Sequence, residues 1–283
     1  MEAHHVRSNS LHSKQHPLIP EYDKQLCRLR SSEAATSSST VVCKLNGLQN
    51  LHDCVDNLIC LPLNQQGLCR EQNRKCLDEI LDGSLRLLDV CDTAKDVLLQ
   101  AKEATQELQS VMRRRYSGET ELTCEIKNFL ASRKVMKKAL RKAMENRCNF
   151  SPLNKDQETV KIVSVLRDVE SITLAIFQSL ISFISGRNLQ SKSNKWSFVS
   201  KMMNSKRVSC EEVIELNKFA SVDAALSIFI GQKLKKSDNK LEEIVQNDLK
   251  ALELCIQDLE GEVESLYRRL IKTRVSLLNT LNY

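Results

Sequence analysis

The chain has 283 residues, 41% of them hydrophobic, and 42 Lys or Arg against 36 Asp or Glu give a formal charge of +6. That apolar content excludes wholesale disorder, and the small positive charge does not by itself specify a nucleic-acid partner. Only 7 Gly and 4 Pro occur, too little turn punctuation for a β-sandwich, a propeller or a doubly wound α/β fold.

Residues 1–17 are polar and hold four of the five His, which predicts a disordered tail. His residues in such a tail are a weak metal signal, and no metal site is assigned there. Arg7-Ser8-Asn9-Ser10 makes Ser8 and Ser10 candidate phosphorylation sites. A phosphate there adds about −1.5 to −2 charge and could switch docking. The segment also partly matches a phosphoserine adaptor motif, with His12 where that motif takes Pro. Pro20, Leu26 and Leu29 predict a short helix over 18–30, and 31–40 reads as a Ser-rich linker.

Steps of three and four then predict a helix from Val41 to Leu61, ended by Pro62. A second run extends from Gln65 to about Arg115, with a kink or break expected at Gly83. A third spans Glu119 to Cys148, and Pro152 marks a turn over 149–154. Lys155 to Ser185 is apolar enough to be a central core helix, but shorter in its apolar run than the ~20 residues of a membrane span. Residues 186–208 form a basic connection with a short helix at 196–203. A helix over Cys210–Lys236 follows, then the capping residues Ser237-Asp238-Asn239.

The last helix, Lys240 to Leu281, repeats apolar positions in a 4-3 rhythm: Leu249, Leu252, Ile256, Leu259, Val263, Leu266, Leu270, Thr273, Leu277. That rhythm fits coiled-coil packing, and Gly261 falls outside the row. No segment alternates as a strand does. The expected fold is all-α: an antiparallel bundle of four to five long helices forming a single domain over 18–283, with a coiled-coil-like C-terminal helix. Apolar faces on the other helices favour internal packing of that last helix, hence a monomer over a homodimer.

The 11 Cys are odd in number and include no C-x-x-C pair, so zinc and thioredoxin-type sites lack their spacing. They read as small buried hydrophobes in a reducing cytoplasm. The N-terminus lacks an apolar core, so no secretory signal is expected, and no transmembrane helix is expected either.

Charge is segregated. Residues 112–147 hold eleven Lys or Arg against four Glu, and 187–207 hold six basic residues and no acid. Residues 241–264 hold eight Asp or Glu and a single Lys. Lys134, Lys137, Lys138, Arg141 and Lys142 fall on one helix face, a stripe of like charges that calls for an anion. The anion is either the chain's own 241–264 helix or something external: an acidic protein surface, an anionic lipid headgroup or a nucleic-acid backbone. Tyr116 and Phe129 are the only aromatics near it, which argues against nucleic acid.

Catalytic motifs are absent. No P-loop, dinucleotide fingerprint or H-E-x-x-H occurs. His52-Asp53-Cys54 has the letters of a nucleophile set, but neighbours on a helix point about 100° apart. His52 reads as a surface or capping residue. No catalytic residue, metal or cofactor is expected, and the protein reads as non-enzymatic.

Five segments carry a resemblance: His5-Val6-Arg7-Ser8-Asn9-Ser10-Leu11, Leu26-Cys27-Arg28-Leu29-Arg30-Ser31-Ser32-Glu33-Ala34, Leu45-Asn46-Gly47-Leu48-Gln49, Leu81-Asp82-Gly83-Ser84-Leu85-Arg86-Leu87-Leu88-Asp89-Val90-Cys91, and Leu270-Ile271-Lys272-Thr273-Arg274-Val275-Ser276-Leu277-Leu278-Asn279. Together they resemble the plant-specific BYPASS-related proteins, a domain of unknown function, over nearly the whole chain. The chain departs from that pattern at Cys76, in place of Trp, and at His12 and Gln15, in a tail otherwise richer in Pro and Arg. The resemblance implies a plant source and a non-enzymatic helical protein linked to root and shoot development. The expected function is a cytoplasmic interaction or regulatory protein that docks a protein partner. The alternative is a peripheral binder of anionic membrane surfaces through the basic face.

Overall fold

The computed structural model describes residues 17–31, 37–114, 119–145, 161–186, 217–232 and 239–281. Helices occupy them in the order α1 (Leu18–Ser31), α2 (Ser38–Ile59), α3 (Pro62–Leu68), a 3-10 turn (Glu71–Asn73), α4 (Arg74–Arg113), α5 (Glu119–Glu145), α6 (Lys161–Ile184), α7 (Lys218–Gln232) and α8 (Asn239–Thr280). No strand occurs among the described residues. Ser8, Ser10, the turn over 149–154, the short helix expected at 196–203 and nearly all of the basic connection lie outside them.

Every residue of the 4-3 row on α8, from Leu249 to Leu277, is buried, with Thr273 included. The row is used inside the molecule, against α4 and α2. Polar pairs fix the directions. Lys102–Glu260 and Gln106–Glu253 step backwards along α8 as α4 advances, so those two helices are antiparallel. Gln49–Glu262, Asp53–Arg269 and Asp56–Lys272 step forwards together, so α2 and α8 run the same way. An up-down order through α2, α4, α5, α6 and α8 produces both relations. α6 lies across α2 and α4, α1 covers α2 and α6, α5 packs on α4, and α7 packs on α8. Ile162, Val163, Leu166, Val169, Ile176, Phe177 and Leu180 of α6 are buried, as its apolar composition predicts. Among the described residues, no helix is long and apolar enough to cross a membrane.

Several expectations need correction. The Ser-rich linker is shorter than 31–40. Ser37 Oγ accepts from the Thr40 backbone N–H at 3.2 Å, which satisfies one of the helix's free amides and starts α2 at Ser38. Pro62 not only ends the preceding run but opens α3 as its first residue, where its missing N–H costs nothing. Gly83 does not break α4, which runs continuously from Arg74 to Arg113. A Cβ at 83 would collide with the Glu170 carboxylate of α6, so the glycine lets two helices close on each other. Gly47 serves α1 and α2 in the same way, because a Cβ there would lie 2.8 Å from Leu29 Cδ2. None of the described cysteines forms a disulfide, but only Cys91 and Cys255 are buried. Cys27, Cys43, Cys60, Cys69 and Cys124 are exposed, so the buried-hydrophobe reading covers a minority.

Candidate functional site

α5 turns Leu122, Ile126, Phe129, Met136 and Leu140 into the core. Steps of three and four place position 133 in the same inward row, and Arg133 fills it at 1% exposure. The cost of burying a guanidinium there is offset by the donors that find partners. Nε donates to Asp223 Oδ1 of α7 at 3.2 Å, and Nη2 donates to the Ile184 carbonyl at the end of α6 at 2.6 Å. The Phe219 ring lies 4.7 Å from the guanidinium carbon, a cation–π contact that further offsets the lost hydration. Lys137, one turn on, gives its Nζ to Asp223 Oδ2 at 2.7 Å. One carboxylate therefore holds two cations, and α5, α6 and α7 are fastened at this point.

The predicted stripe is thus divided by the fold. Lys137 turns to Asp223, while Lys134, Lys138, Arg141 and Lys142 are exposed. Among the described residues Arg141 pairs with Glu145 of its own helix, at 3.5 Å and with both side chains largely in solvent. Lys134, Lys138 and Lys142 make no ion pair among the described residues. Between these cations runs a short row of exposed small or apolar residues, Ala131, Val135 and Ala139, with Val135 65% exposed.

The acidic 241–264 segment does not meet this face. Glu253 accepts from Gln106 and Gln109 of α4, Glu260 pairs with Lys102 and Glu264 with Lys95. Glu262 accepts from Gln49 of α2, and Asp248 accepts from Ser221 of α7. Lys95 and Arg268 hold the Glu264 carboxyl below its ordinary range by hydrogen bonding. Its partners are α2, α4 and α7.

His52-Asp53-Cys54 does not converge on one point. Asp53 turns to Arg269 of α8 at 2.9 Å. His52 is buried, which corrects its reading as a surface or capping residue. Its Nε2 lies 3.1 Å from Thr173 Oγ1 on α6. Thr173 spends its own hydroxyl proton on the Val169 carbonyl, so the imidazole is the donor and Nε2 carries the hydrogen. Burial pushes the His52 imidazole down to about 4, keeping it neutral. Its neighbours Leu48 and Val55 gave the signal, since 52 falls in step with both. Arg133 was legible by the same test, lying in step with Phe129, Met136 and Leu140.

Sequence reading also passed over a second charged row. Asp78, Asp82, Asp89, Asp92, Asp96 and Glu103 of α4 are all exposed and lie on one face. Their spacing, in steps of four and three once Leu85 and Leu99 are included, was available in the sequence.

No curated protein and no solved structure matches the chain. A family model described as Protein BPS1 matches residues 44–280, which takes in most of α2, every helix from α3 to α8 and the whole of the α5 face. The chain belongs to the BPS1 family, that of the BYPASS-related proteins.

Proposed function

We propose that this is a non-enzymatic interaction protein of the plant cytoplasm, acting in root and shoot development, which docks an acidic protein surface through the outward face of α5. The observation that carries the reading is the row of exposed cations, Lys134, Lys138, Arg141 and Lys142, which pair with no carboxylate of another helix among the described residues. Holding like charges one turn apart costs a helix about 0.2–0.5 kcal/mol per pair, which a docked anion would relieve. Val135, exposed among them, supports a second reading, a peripheral binder of anionic membrane surfaces, since cations around an apolar residue also suit a lipid headgroup layer.

The test compares the native chain with a Lys134→Glu, Lys138→Glu, Arg141→Glu, Lys142→Glu variant as baits in plant extract, and with vesicles of phosphatidylserine and phosphatidylcholine. Lys137 is left intact because it supports Asp223. Circular dichroism establishes that both baits are folded. Loss of a protein partner from the variant, with no vesicle binding by either, supports the adaptor. Salt-sensitive vesicle binding lost in the variant supports the membrane reading. Identical behaviour of the two baits in every arm overturns both.

A further inference from the structure

A long row of acidic residues lies on α4. Asp78, Asp82, Leu85, Asp89, Asp92, Asp96, Leu99 and Glu103 follow one another in steps of four and three, and all are exposed. Leu85 and Leu99 are 47% and 49% exposed. Such steps keep a row facing one neighbouring helix along its whole length. From Asp78 to Glu103 the row extends about 38 Å at 1.5 Å per residue. Arg86, Lys95 and Lys102 of the same helix are each engaged by a carboxylate of another helix: Glu170, Glu264 and Glu260. None of the six acids makes an ion pair among the described residues. Two leucines set among acids at coiled-coil spacing form a docking strip for a helix that is basic at the matching positions.

This chain carries such a helix. On α5, Lys127, Ala131, Lys134, Lys138 and Arg141 also follow in steps of four and three, and all are exposed. That row extends about 21 Å on the same rise, so it fits within the acidic one. α4 and α5 pack against each other, and no ion pair among the described residues joins the two rows within one copy. The alternative route to self-association, the α8 seam, is already buried against α2 and α4.

We propose that the acidic α4 row binds the basic α5 row of a second copy, giving reversible, salt-sensitive self-association. This rests on the reading of α5 as a protein-docking face and names one partner for it.

The experiment is sedimentation velocity on the full chain at low and high salt, with two charge-reversed variants. One carries Asp82→Lys, Asp89→Lys and Asp92→Lys, and the other Lys134→Glu, Lys138→Glu and Arg141→Glu. All six positions are exposed, and circular dichroism and melting report whether each variant keeps the native fold. The native chain gains mass with concentration, and its apparent dissociation constant rises about tenfold from low to high salt. Each variant alone associates at least about tenfold more weakly, because the first no longer has a net acidic row and the second no longer has a net basic one. Mixed together they associate again, since each supplies the sign the other lacks. Leu85→Ser with Leu99→Ser weakens association without altering any charge. A native chain that stays monomeric at every concentration and salt, or a mixture that fails to restore association, overturns the proposal. If the native chain is monomeric and only the α5 variant loses an acidic partner from plant extract, self-association fails while the docking reading survives. If neither variant loses that partner, the docking reading fails as well.

Discussion

Along α8, Leu252, Ile256, Leu259, Val263 and Leu266 meet α2 and α4 as an aliphatic row with no charge in it. The inward row of α5 has the same spacing but sets Arg133 between Phe129 and Met136. The first contact asks only for apolar volume of about the right shape, and cores accept swaps of similar volume. The second asks for a carboxylate, a free carbonyl and an aromatic face at fixed positions: Asp223, Ile184 and Phe219. The trunk of α2, α4 and α8 is therefore held by bulk burial, and the end formed by α5, α6 and α7 by one demanding group.

Substitution by methionine at each site gives the largest expected effect and the clearest break between them. Leu259→Met keeps volume and costs less than about 1.5 kcal/mol. Arg133→Met removes one partner of a buried pair, takes a cation from Asp223 and frees the Ile184 carbonyl, for a loss of about 3–5 kcal/mol. Urea unfolding followed by circular dichroism measures both. Adding Asp223→Asn to Arg133→Met should recover part of the loss, because no carboxylate is then left underpaired. Equal costs at the two positions would mean that the clamp is no more specific than the seam.

The polar groups buried where α6 meets α2 and α4 sharpen the comparison through pH. Glu170 lies beside Gly83 with Arg86 at 3.3 Å, and burial pushes its carboxyl up to about 7, against the pull of Arg86 and Arg167. The folded chain thus holds a proton that the unfolded chain releases near 4.5. That contribution is full below 4.5 and is lost as pH rises through 7. His52 has the opposite sign. Its folded value of about 4 lies below the ordinary 6.5, set by burial and by Arg269 against Asp53 and Asp56. Its contribution is full above 6.5 and is lost as pH falls through 4. Each shift is on the order of 3 kcal/mol, and between 4.5 and 6.5 the two slopes oppose. Glu170→Gln should leave stability falling with acid across that window, and His52→Gln should leave it rising, while the native chain stays flatter than either. Variants with the native pH profile would remove these two residues as its source.

The sequence was most legible where burial alone decides. The α8 row, the α6 core face and the burial of Leu26 and Leu29 in α1 follow from apolar spacing, and all are found. It was least legible where a polar residue lies in an apolar row, because spacing points inward while residue type points outward. At His52 and Arg133 the spacing was right. The partners that make burial tolerable, Thr173 and Asp223, are far away in the chain and leave no local trace. The α5 stripe was legible as a charged face, but the diversion of Lys137 required knowing where α7 lies. The acidic α4 row was legible in principle and hidden in practice by interleaved Arg86, Lys95 and Lys102, whose partners only the fold reveals.

The smallest expected effect separates two glycines, Gly83 and Gly261, that each lie within a long helix. Nothing lies within 4 Å of a Cβ built at Gly261, on the outer side of α8. Gly261→Ala should therefore stabilise by up to about 1 kcal/mol through helix propensity alone. At Gly83 the same gain is opposed by the Glu170 carboxylate, which has Arg86 as an ion-pair partner and little room to withdraw. Overpacking of this kind costs about 1–3 kcal/mol, so Gly83→Ala should destabilise by about 1 kcal/mol net. The sign should reverse in a Glu170→Ala background, where the added methyl enters space the carboxylate has left. A double-mutant cycle read by thermal melting tests this. If Gly83→Ala is as stabilising as Gly261→Ala in the native background, α4 and α6 are not held as closely as Gly83 implies. A negative sign that persists without the carboxylate would place the obstruction elsewhere than at Glu170.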